Sequence, residues 1–288
     1  MDYKMLGRRL NIAGTKISVV TMPAVLNAMQ GWISDRSGRY IVCRDVHGVI
    51  RARKDCALHA SHDGADCVTP DGMPLVWTAR LLGYKQISRV CGPDLLSEAV
   101  KRGVDRGWKH YFYGSSPPVL EKLVGELERK FPGVVISGSY SPPYRARTEE
   151  DDEIDCARIR ASAADIVWVG LGCPKQERWM SNNARRCGGA VLVGIGAAFD
   201  FHAGTVARAP VWMRDCGLEW AFRISQEPGR LAGRYLASAP QFIVFALADV
   251  IKDRLAGFGL TRDKTLGLIP DTRAASTYYD SVQDDAND

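Results

Sequence analysis

Short apolar runs alternate with amphipathic segments through the middle of the chain. Each run is rich in β-branched or aromatic residues, and most are followed by a segment with apolar residues at helical spacing. Because parallel strands joined by helices give this alternation, the pattern predicts an α/β fold, with a Rossmann-like, mainly parallel sheet and helices on both faces. The predicted strands are residues 39–43, 64–69, 110–113, 134–137, 165–169 and 190–193.

Helix start signals support this division. Thr21 stands before Pro23 and predicts the N-cap of a first helix. Asp94 predicts the cap of another helix, and residues 117–131 form an amphipathic helical pattern. Since crossovers between parallel strands are right-handed, the loops that follow the strands are expected along one edge of the sheet, where ligands bind.

The pattern predicts three regions. Residues 1–204 carry the strand–helix alternation and are expected to form the catalytic α/β domain. After Thr205 the strand pattern stops, Arg and Trp become frequent, and Gly and Pro separate short helical patterns, so residues 205–260 are expected to form an appendage of short helices near a membrane surface. Residues 261–288 end in an acidic stretch and are predicted to be disordered.

Charge and cysteine content narrow the class of protein. Lys and Arg total 38 against 33 Asp and Glu, a net charge of +5, which suits a phosphate-bearing ligand or anionic membrane but gives no case for nucleic acid. None of the eight cysteines forms a Cys-x-x-Cys pair, so we expect reduced thiols, a cytoplasmic location, and no metal or cofactor. The longest apolar stretch, residues 242–251, is shorter than the ~20 residues of a membrane-spanning helix.

The sequence Thr-Pro-Asp-Gly at 69–72 follows a predicted strand and precedes a helix. A carboxylate at such a strand end faces the ligand cleft, so Asp71 is a candidate general base. Capping of the following helix is the alternative, because Pro-Asp-Gly is a common turn and Asp a favoured N-cap. A helix N-terminus nearby would keep the carboxylate ionised in either case.

Two glycine-containing loops follow later strands. In the first, residues 170–177, glycines let backbone N–H groups approach a phosphate or ribose. In the second, residues 194–204, Asp200 could accept from a sugar hydroxyl, and His202 is either a base or a structural hydrogen-bonder. Turn geometry alone is the alternative for both loops. The candidate binding residues here are Gly170, Gly172, Pro174, Lys175, Gln176, Glu177, Gly196, Asp200 and Phe201.

Arginines supply the remaining candidates. Arg89, just before Gly-Pro-Asp, could bind a diphosphate. Arginines of the appendage could bind a diphosphate or meet the membrane, with interleaved Trp212 and Trp220 dipping into its interface. A solvated basic face over an aromatic core is the alternative, and Glu219 and Glu227 partly neutralise it. The appendage candidates are Arg208, Arg214, Arg223, Arg230 and Arg234.

Taken together, the motifs resemble the WecB/TagA/CpsF glycosyltransferases, also called glycosyltransferase family 26. The resemblance runs from about Thr21 to Tyr235. It implies an inverting, metal-independent transfer of a sugar from a UDP-sugar to a polyprenyl-diphosphate-linked sugar at the cytoplasmic membrane face. The motifs are TPDGMPLVW (69–77), RVCGPDLL (89–96), VGLGCPKQERWM (169–180), GIGAAFDFHAGTVARAPVWM (194–213) and GLEWAFRISQEPGRL (217–231).

The resemblance also implies residue roles. Asp71 matches the family's base, while Gln176 and Arg89 match active-site residues. Of the appendage arginines expected to close over the diphosphate, Arg223 and Arg230 match the family pattern best, and Arg234 matches it less closely.

Two positions depart from the family, which usually has Thr-x-Asn after its first strand. This chain has Cys43 and Asp45 there. The exchange weakens a hydroxyl hydrogen bond and adds charge beside the expected sugar pocket. The transferred sugar is therefore expected to be a hexose or N-acetylhexosamine other than N-acetylmannosamine, for example glucose in exopolysaccharide assembly.

Three alternatives stay open from sequence. The chain could be an inactive nucleotide-binding regulator or scaffold of the same fold, which the departures at Cys43 and Asp45 would explain. A Rossmann oxidoreductase is disfavoured, since the Gly-x-Gly-x-x-Gly pattern is absent. Assembly into a homo-oligomer is also open.

Overall fold

A computed structural model of the chain describes Leu6 and residues 8–257. Its main sheet has six parallel strands in the order β4-β3-β8-β7-β5-β6, and β1 and β2 form a separate antiparallel hairpin. The strands are β1 (Arg9–Ile12), β2 (Thr15–Ser18), β3 (Tyr40–Arg44), β4 (Cys67–Pro70), β5 (Lys109–Gly114), β6 (Val135–Tyr140), β7 (Ile166–Gly170) and β8 (Val191–Gly194).

Helices connect successive strands of the main sheet, and further helices follow β8. The helices are α1 (Met22–Asp35), α2 (Val46–Ala52), α3 (Cys56–Asp63), α4 (Met73–Leu81), α5 (Gly92–Val104), α6 (Pro117–Lys130), α7 (Glu149–Ala161), α8 (Lys175–Asn183), α9 (Ala198–His202), α10 (Val211–Asp215), α11 (Glu219–Gln226) and α12 (Pro228–Gly257).

The strands are continuously apolar because both faces of the sheet are covered. Alternate residues of one strand enter two separate cores: Val167 and Val169 pack in one, and Ile166 and Trp168 pack in the other. The predicted Rossmann-like fold with helices on both faces is therefore confirmed. All six predicted strands are present, with ends that differ by up to three residues.

The structure confirms the predicted N-cap of α1 and places the N-cap of α5 at a different residue from the one predicted. Thr21 is the N-cap of α1 and accepts a hydrogen bond from the Ala24 N–H at 3.4 Å, as predicted. Asp94 was predicted as a cap, but α5 begins earlier, with Cys91 as its N-cap and Asp94 in its first turn. Pro93 fixes the early start, since a proline in the first helical turn loses no backbone hydrogen bond.

The C-terminal helices differ most from expectation. Short helices were predicted, yet α12 runs for 30 residues and contains Pro240. Within the described residues, Pro228–Ala256 is the one helix long and apolar enough to cross a membrane. The apolar stretch at 242–251, from which the sequence predicts that the chain does not span a bilayer, is therefore part of a longer helix. Length and composition are weak indicators of a span, because core helices of soluble proteins pass the same test.

Helix α12 also packs on the rest of the chain. Phe242 and Ala246 belong to one of the two cores, and Asp249 accepts a hydrogen bond from the Ala13 N–H at 2.7 Å. These contacts join α12 to the hairpin and to the face of the sheet. The boundary at residue 204 stays a prediction, and the predicted tail at 261–288 lies outside the described residues.

Candidate active site

Four neighbouring strands, β4, β3, β8 and β7, end side by side at the carboxyl edge of the sheet. Asp71 follows β4 and Asp45 follows β3, while the loops beginning at Gly170 and Ile195 follow β7 and β8. Parallel pairing alone brings these predicted loops together, because it places every strand's carboxyl end at the same edge.

The turn that carries Asp71 is fixed by backbone hydrogen bonds. The Asp71 N–H donates to the Arg44 carbonyl at 2.9 Å, and the Val90 N–H donates to the Pro70 carbonyl at 3.0 Å. The Arg89 side chain donates from Nε to the Asp71 carbonyl at 2.7 Å. Asp71 is thus a partly exposed residue on a constrained turn.

The capping alternative for Asp71 is wrong. Gly72 is the N-cap of α4, and that helix has no side-chain cap. The Asp71 carboxylate is instead influenced by the backbone N–H of Gly92, at the start of α5, which lowers its pKa. The carboxylate therefore points across the edge of the sheet to a different helix.

Burial raises the pKa of Asp71 to about 6. Arg89 opposes this rise, whereas the negative charges of Asp45 and Glu219 add to it. A carboxyl group with this pKa is mostly ionised at neutral pH yet has a raised affinity for a proton. This is the behaviour required of a general base.

Cys43 and Asp45 differ in what they can offer. Cys43 is buried, and burial raises the pKa of its thiol, so it stays neutral. Asp45 caps α2 through the Gly48 N–H at 2.8 Å and accepts from Arg234 of α12 at 2.7 Å. Burial raises the pKa of Asp45, but Arg234 and the other positive partners outweigh it, so the net pKa is below its usual value. Asp45 is thus a charged link to α12.

A buried ion pair lies beneath the loops. Arg44 and Glu177 are 2% and 0% exposed, and Arg44 Nη2 donates to Glu177 Oε1. Glu177 also accepts from Gln176 Nε2 at 3.2 Å, and Arg44 Nη1 lies 3.5 Å from Cys173 Sγ. A side chain at Gly48 would place its Cβ only 1.9 Å from Arg44 Nη1.

Glu177 was predicted to bind substrate. Its complete burial against Arg44 gives it no surface toward a ligand, and what it holds is the neighbouring Gln176. Charge burial explains this placement, since a carboxylate leaves water only with a close partner. A binding role for Glu177 stays a prediction, and its contacts within the described residues are with Arg44 and Gln176.

Gln176 is 5% exposed, and its Oε1 has no hydrogen-bond partner among the described residues. It lies against the end of β8, where a Cβ at Gly194 would be 3.2 Å from Gln176 Nε2 and one at Gly196 would be 3.4 Å from Oε1. The glycines therefore leave room for this amide. An unpartnered buried amide oxygen at the carboxyl edge suits a ligand donor.

The rest of the 170–177 loop is shaped by its backbone. A Cβ at Gly170 would lie 2.7 Å from the Phe199 ring, and Gly172 has a φ of +78°, which favours glycine. A cis peptide bond joins Cys173 to Pro174. Lys175 is exposed, and its Nζ lies 4.5 Å from the centre of the Tyr144 ring.

Helix α9 carries Asp200 and Phe201, which are both partly exposed. The Thr205 hydroxyl lies 3.4 Å from an Asp200 carboxylate oxygen. The Arg223 guanidinium stacks 5.4 Å from the Phe201 ring centre, which joins α11 to α9. Both predicted residues therefore border the appendage.

Four of the five predicted appendage arginines have carboxylate partners. Arg208 and Arg214 both pair with Asp94, at 2.5 and 3.4 Å. The other two pairs are Arg230 with Glu227 at 2.5 Å and Arg234 with Asp45 at 2.7 Å. Arg223 has no ion pair within residues 8–257, so its charge is the least neutralised of the five.

His202 bonds to the Pro93 carbonyl at 2.9 Å, which favours the structural alternative for this residue. Burial lowers its pKa, so the ring stays neutral at physiological pH. In the part of the chain that the structure describes, no group of three or more His, Cys, Asp or Glu is placed to hold a metal ion.

Sequence reasoning gave no role to Arg44 or Glu219. Arg44 ends the apolar strand β3, and a charge at the end of a buried strand is a signal for a buried counter-charge. Glu219 was noted only as a neutralising charge, yet it pairs with Arg89 across the site. No local pattern identifies that partner, since the two residues are 130 positions apart.

The glycosyl transferase family WecG/TagA/CpsF has a sequence model that matches residues 10–256. The chain belongs to this family. Two relatives, from Bacillus spizizenii W23 and Bacillus subtilis 168, are both named N-acetylglucosaminyldiphosphoundecaprenol N-acetyl-beta-D-mannosaminyltransferase.

The first is 30% identical over 75% of this chain and 81% of its own length. The second is 30% identical over 76% of this chain and 82% of its own length. This WecG/TagA/CpsF protein is therefore a glycosyltransferase.

Replacing Arg44 with Met would leave the Glu177 carboxylate buried without a counter-charge. We expect the free energy of unfolding to fall by about 3–5 kcal/mol, measured by urea denaturation. Arg178→Met is the matched control, because Arg178 neighbours Glu177 on α8 and pairs with Asp55 at the surface. That change should cost less than about 1 kcal/mol. Equal losses in both variants would contradict the importance given to the buried pair.

Proposed function

We propose that this glycosyltransferase moves a hexose or N-acetylhexosamine from a UDP-sugar to a polyprenyl-diphosphate-linked sugar in cell-surface polysaccharide biosynthesis, exopolysaccharide among them. The names of both relatives support the acceptor, since they describe transfer onto a sugar carried by diphosphoundecaprenol. The observation that carries the proposal is the Asp71 carboxylate, partly exposed at the carboxyl edge with a pKa of about 6.

In this proposal Asp71 removes the proton from the acceptor hydroxyl. The freed oxygen attacks C1 of the donor sugar from the face opposite UDP, so the C1–O bond to UDP breaks and the configuration inverts. A retaining double displacement would need a second carboxylate as nucleophile. Glu177, the carboxylate of the adjacent loop, is buried against Arg44 and does not suit that role.

The leaving UDP gains negative charge that cations must stabilise in a metal-independent transfer. Arg223 is the best placed of the appendage arginines, because it forms no ion pair within residues 8–257 and its guanidinium lies over the Phe201 ring. Lys175 begins α8, where the helix N-terminus adds favourable partial charge for a phosphate. We therefore assign the diphosphate to Arg223 and Lys175, with Arg89 as a third candidate.

The donor sugar is proposed to differ from N-acetylmannosamine. Asp45 and Cys43 occupy the positions that depart from the family's Thr-x-Asn, and Asp45 is already bonded to Gly48 and Arg234. With Asp45 engaged, fewer of its carboxylate lone pairs remain for sugar hydroxyls or an acetamido group. Glucose is the first candidate to be tested.

The acceptor lipid lies in the bilayer, so the enzyme must meet the membrane surface. One side of α12 exposes apolar residues while Phe242 and Ala246 on another side are buried. A helix that is apolar on its outer side can lie in the membrane interface. We propose this side as the membrane contact of a peripheral, cytoplasmic enzyme. Its exposed residues are Leu236, Ile243, Val244, Leu247, Ile251 and Leu255.

Asp71→Asn should remove the base and lower kcat by roughly 10²–10⁴-fold, with the donor KM little changed. For the wild type, kcat/KM should fall as pH drops below about 6, because the protonated carboxyl cannot accept a proton. The assay is mass spectrometry of the glycosylated product from a prenyl-diphosphate-N-acetylglucosamine acceptor. The donor panel is UDP-glucose, UDP-N-acetylglucosamine and UDP-N-acetylmannosamine.

Asp63→Asn is the matched control, since Asp63 precedes β4 at the opposite edge of the sheet. Asp71→Asn should unfold at the same or a higher temperature than wild type at pH 7. A carboxyl whose pKa is raised on folding contributes most stability below about pH 4 and loses it as pH rises through 6. Full turnover by Asp71→Asn would refute the assignment, and UDP binding by an inactive wild type would favour the scaffold alternative.

Arg223→Gln should weaken diphosphate stabilisation. We expect kcat/KM for the donor to fall about 10–100-fold, and UDP to bind more weakly by calorimetry. Arg129→Gln on α6 is the control, because Arg129 is a surface residue paired only with Glu126. If both variants kept wild-type affinity for UDP, Arg223 would not be the diphosphate ligand.

Leu247→Glu with Ile251→Glu should abolish sedimentation with vesicles of phosphatidylglycerol and phosphatidylcholine, because two charges would enter the apolar interface. Substitutions test this better than truncation, since removing α12 would uncover the core around Phe242. Ile154→Glu on α7 is the control, as it is an exposed aliphatic residue outside the appendage. Vesicle binding by the double variant at the wild-type level would exclude this side of α12 as the contact.

A further inference from the structure

Ion pairs join α10–α12 and the segment before them to the carboxyl edge of the sheet. In three of the pairs within residues 8–257, an arginine of residues 205–257 meets an acid of the α/β part. The fourth has the opposite polarity, with Glu219 of α11 bonded to Arg89. Glu219 is the only acid that the described residues of this region contribute to these pairs. The pairs are Arg208–Asp94, Arg214–Asp94, Arg234–Asp45 and Glu219–Arg89.

Arg89 connects Glu219 to the Asp71 turn. Its Nε donates to the Asp71 carbonyl at 2.7 Å, and its Nη2 donates to Glu219 Oε2. The side chains of Arg89 and Glu219 are only 17% and 16% exposed, so water screens the pair little. One guanidinium therefore bonds both to the backbone of the proposed base and to α11.

Glu219 is itself held in place. Its other carboxylate oxygen lies 3.7 Å from Arg208 Nε, and Arg208 pairs with Asp94 in the first turn of α5. The backbone N–H of Gly92, at the same helix start, lowers the pKa of the Asp71 carboxylate. A closed set of contacts thus runs from the Asp71 turn through α11 and back to the Asp71 side chain.

An acid is unexpected in a region rich in arginine that is proposed to receive a diphosphate. Glu219 repels an anionic donor and neutralises part of the field of Arg89 and Arg208. Because Glu219 opposes donor binding, we expect it to contribute to the site in another way. Its contacts indicate one, since Glu219 bonds to Arg89 and Arg89 bonds to the backbone of Asp71.

We propose that Glu219 is a positioning residue, which holds Arg89 against the backbone of Asp71 and so links docking of α11 to the placement of the base. The inference rests on the proposed role of Asp71. It assigns no contact with substrate to Glu219. An appendage that is undocked would leave Arg89 without this partner, and the base turn would lose one of its restraints.

A pH readout must account for every charged or titratable group near Asp71. Arg89 lowers its pKa, and Asp45 and Glu219 raise it. Other groups that interact electrostatically with the Asp71 carboxylate come from β3, from the segment before α5 and from α12. They are Cys43, Cys91 and Tyr235.

The first test measures Asp71 directly and needs no turnover. The ¹³C chemical shift of the Asp71 carboxyl is followed against pH in the full-length protein, with Asp71→Asn giving the assignment. Release of Arg89 in Glu219→Gln removes the charge that most lowers the Asp71 pKa, so the Asp71 titration should move to higher pH; loss of the Glu219 charge with Arg89 still in place would move it to lower pH. Asp215→Asn, an exposed acid on the neighbouring α10, should leave the titration in place.

The second test separates kcat from KM. Glu219→Gln should lower kcat about tenfold, since a displaced base is costly even when binding is intact. The donor KM should not rise, because one negative charge has been removed near the anionic donor. Glu219→Asp keeps the charge and should recover part of kcat, and Asp215→Asn should match the wild type.

Two results would overturn the proposal. An Asp71 titration that stays in place or moves to lower pH in Glu219→Gln would show that Glu219 does not hold Arg89 against the base. A lower donor KM with an unchanged or higher kcat would show that Glu219 only masks Arg89 from the donor. If the wild type transferred no sugar from any donor, the proposed function would fail, while the titration would still decide whether Glu219 acts on Asp71.

Discussion

The buried ion pair between Arg44 and Glu177 is the constraint on which the carboxyl edge depends. Arg44 ends β3 and Glu177 lies in the first turn of α8, after β7, so the pair spans the intervening strand β8. Neither charge has access to water, and each is tolerable only because the other is present. The Asp71 turn bonds to the Arg44 carbonyl, and the Gln176 amide bonds to Glu177. The ion pair therefore gives both groups one rigid support.

The fold could be predicted from the sequence because its signals are local. Apolar runs bounded by turn residues gave all six strands of the main sheet, and the parallel alternation placed Asp71 and the 170–177 loop at one edge. The hairpin of β1 and β2 was not predicted, since each of its strands is only four residues long and its turn is Ala13-Gly14. The length of α12 was misjudged because Gly229, Gly233 and Pro240 suggested breaks, whereas packing against the core keeps the helix continuous.

The candidate site was predictable only in part, for a physical reason. Residue types and strand ends identify which side chains lie at the edge, as they did for Asp71 and Gln176. They do not identify which charge neutralises which, because partners such as Arg89 and Glu219 are brought together by the docking of distant helices. Hence the sequence predicted neither the pairing of Glu177 with Arg44 nor that of Asp94 with Arg208 and Arg214.

The absence of a side chain at Gly48 has a consequence for how this protein can evolve. The guanidinium of Arg44 fills the space that any larger residue at position 48 would need. A side chain there would displace the cation and leave the acid below it unpaired, so glycine is needed at position 48 for as long as positions 44 and 177 carry the buried pair. Substitutions at these three sites are therefore expected to be coupled during evolution.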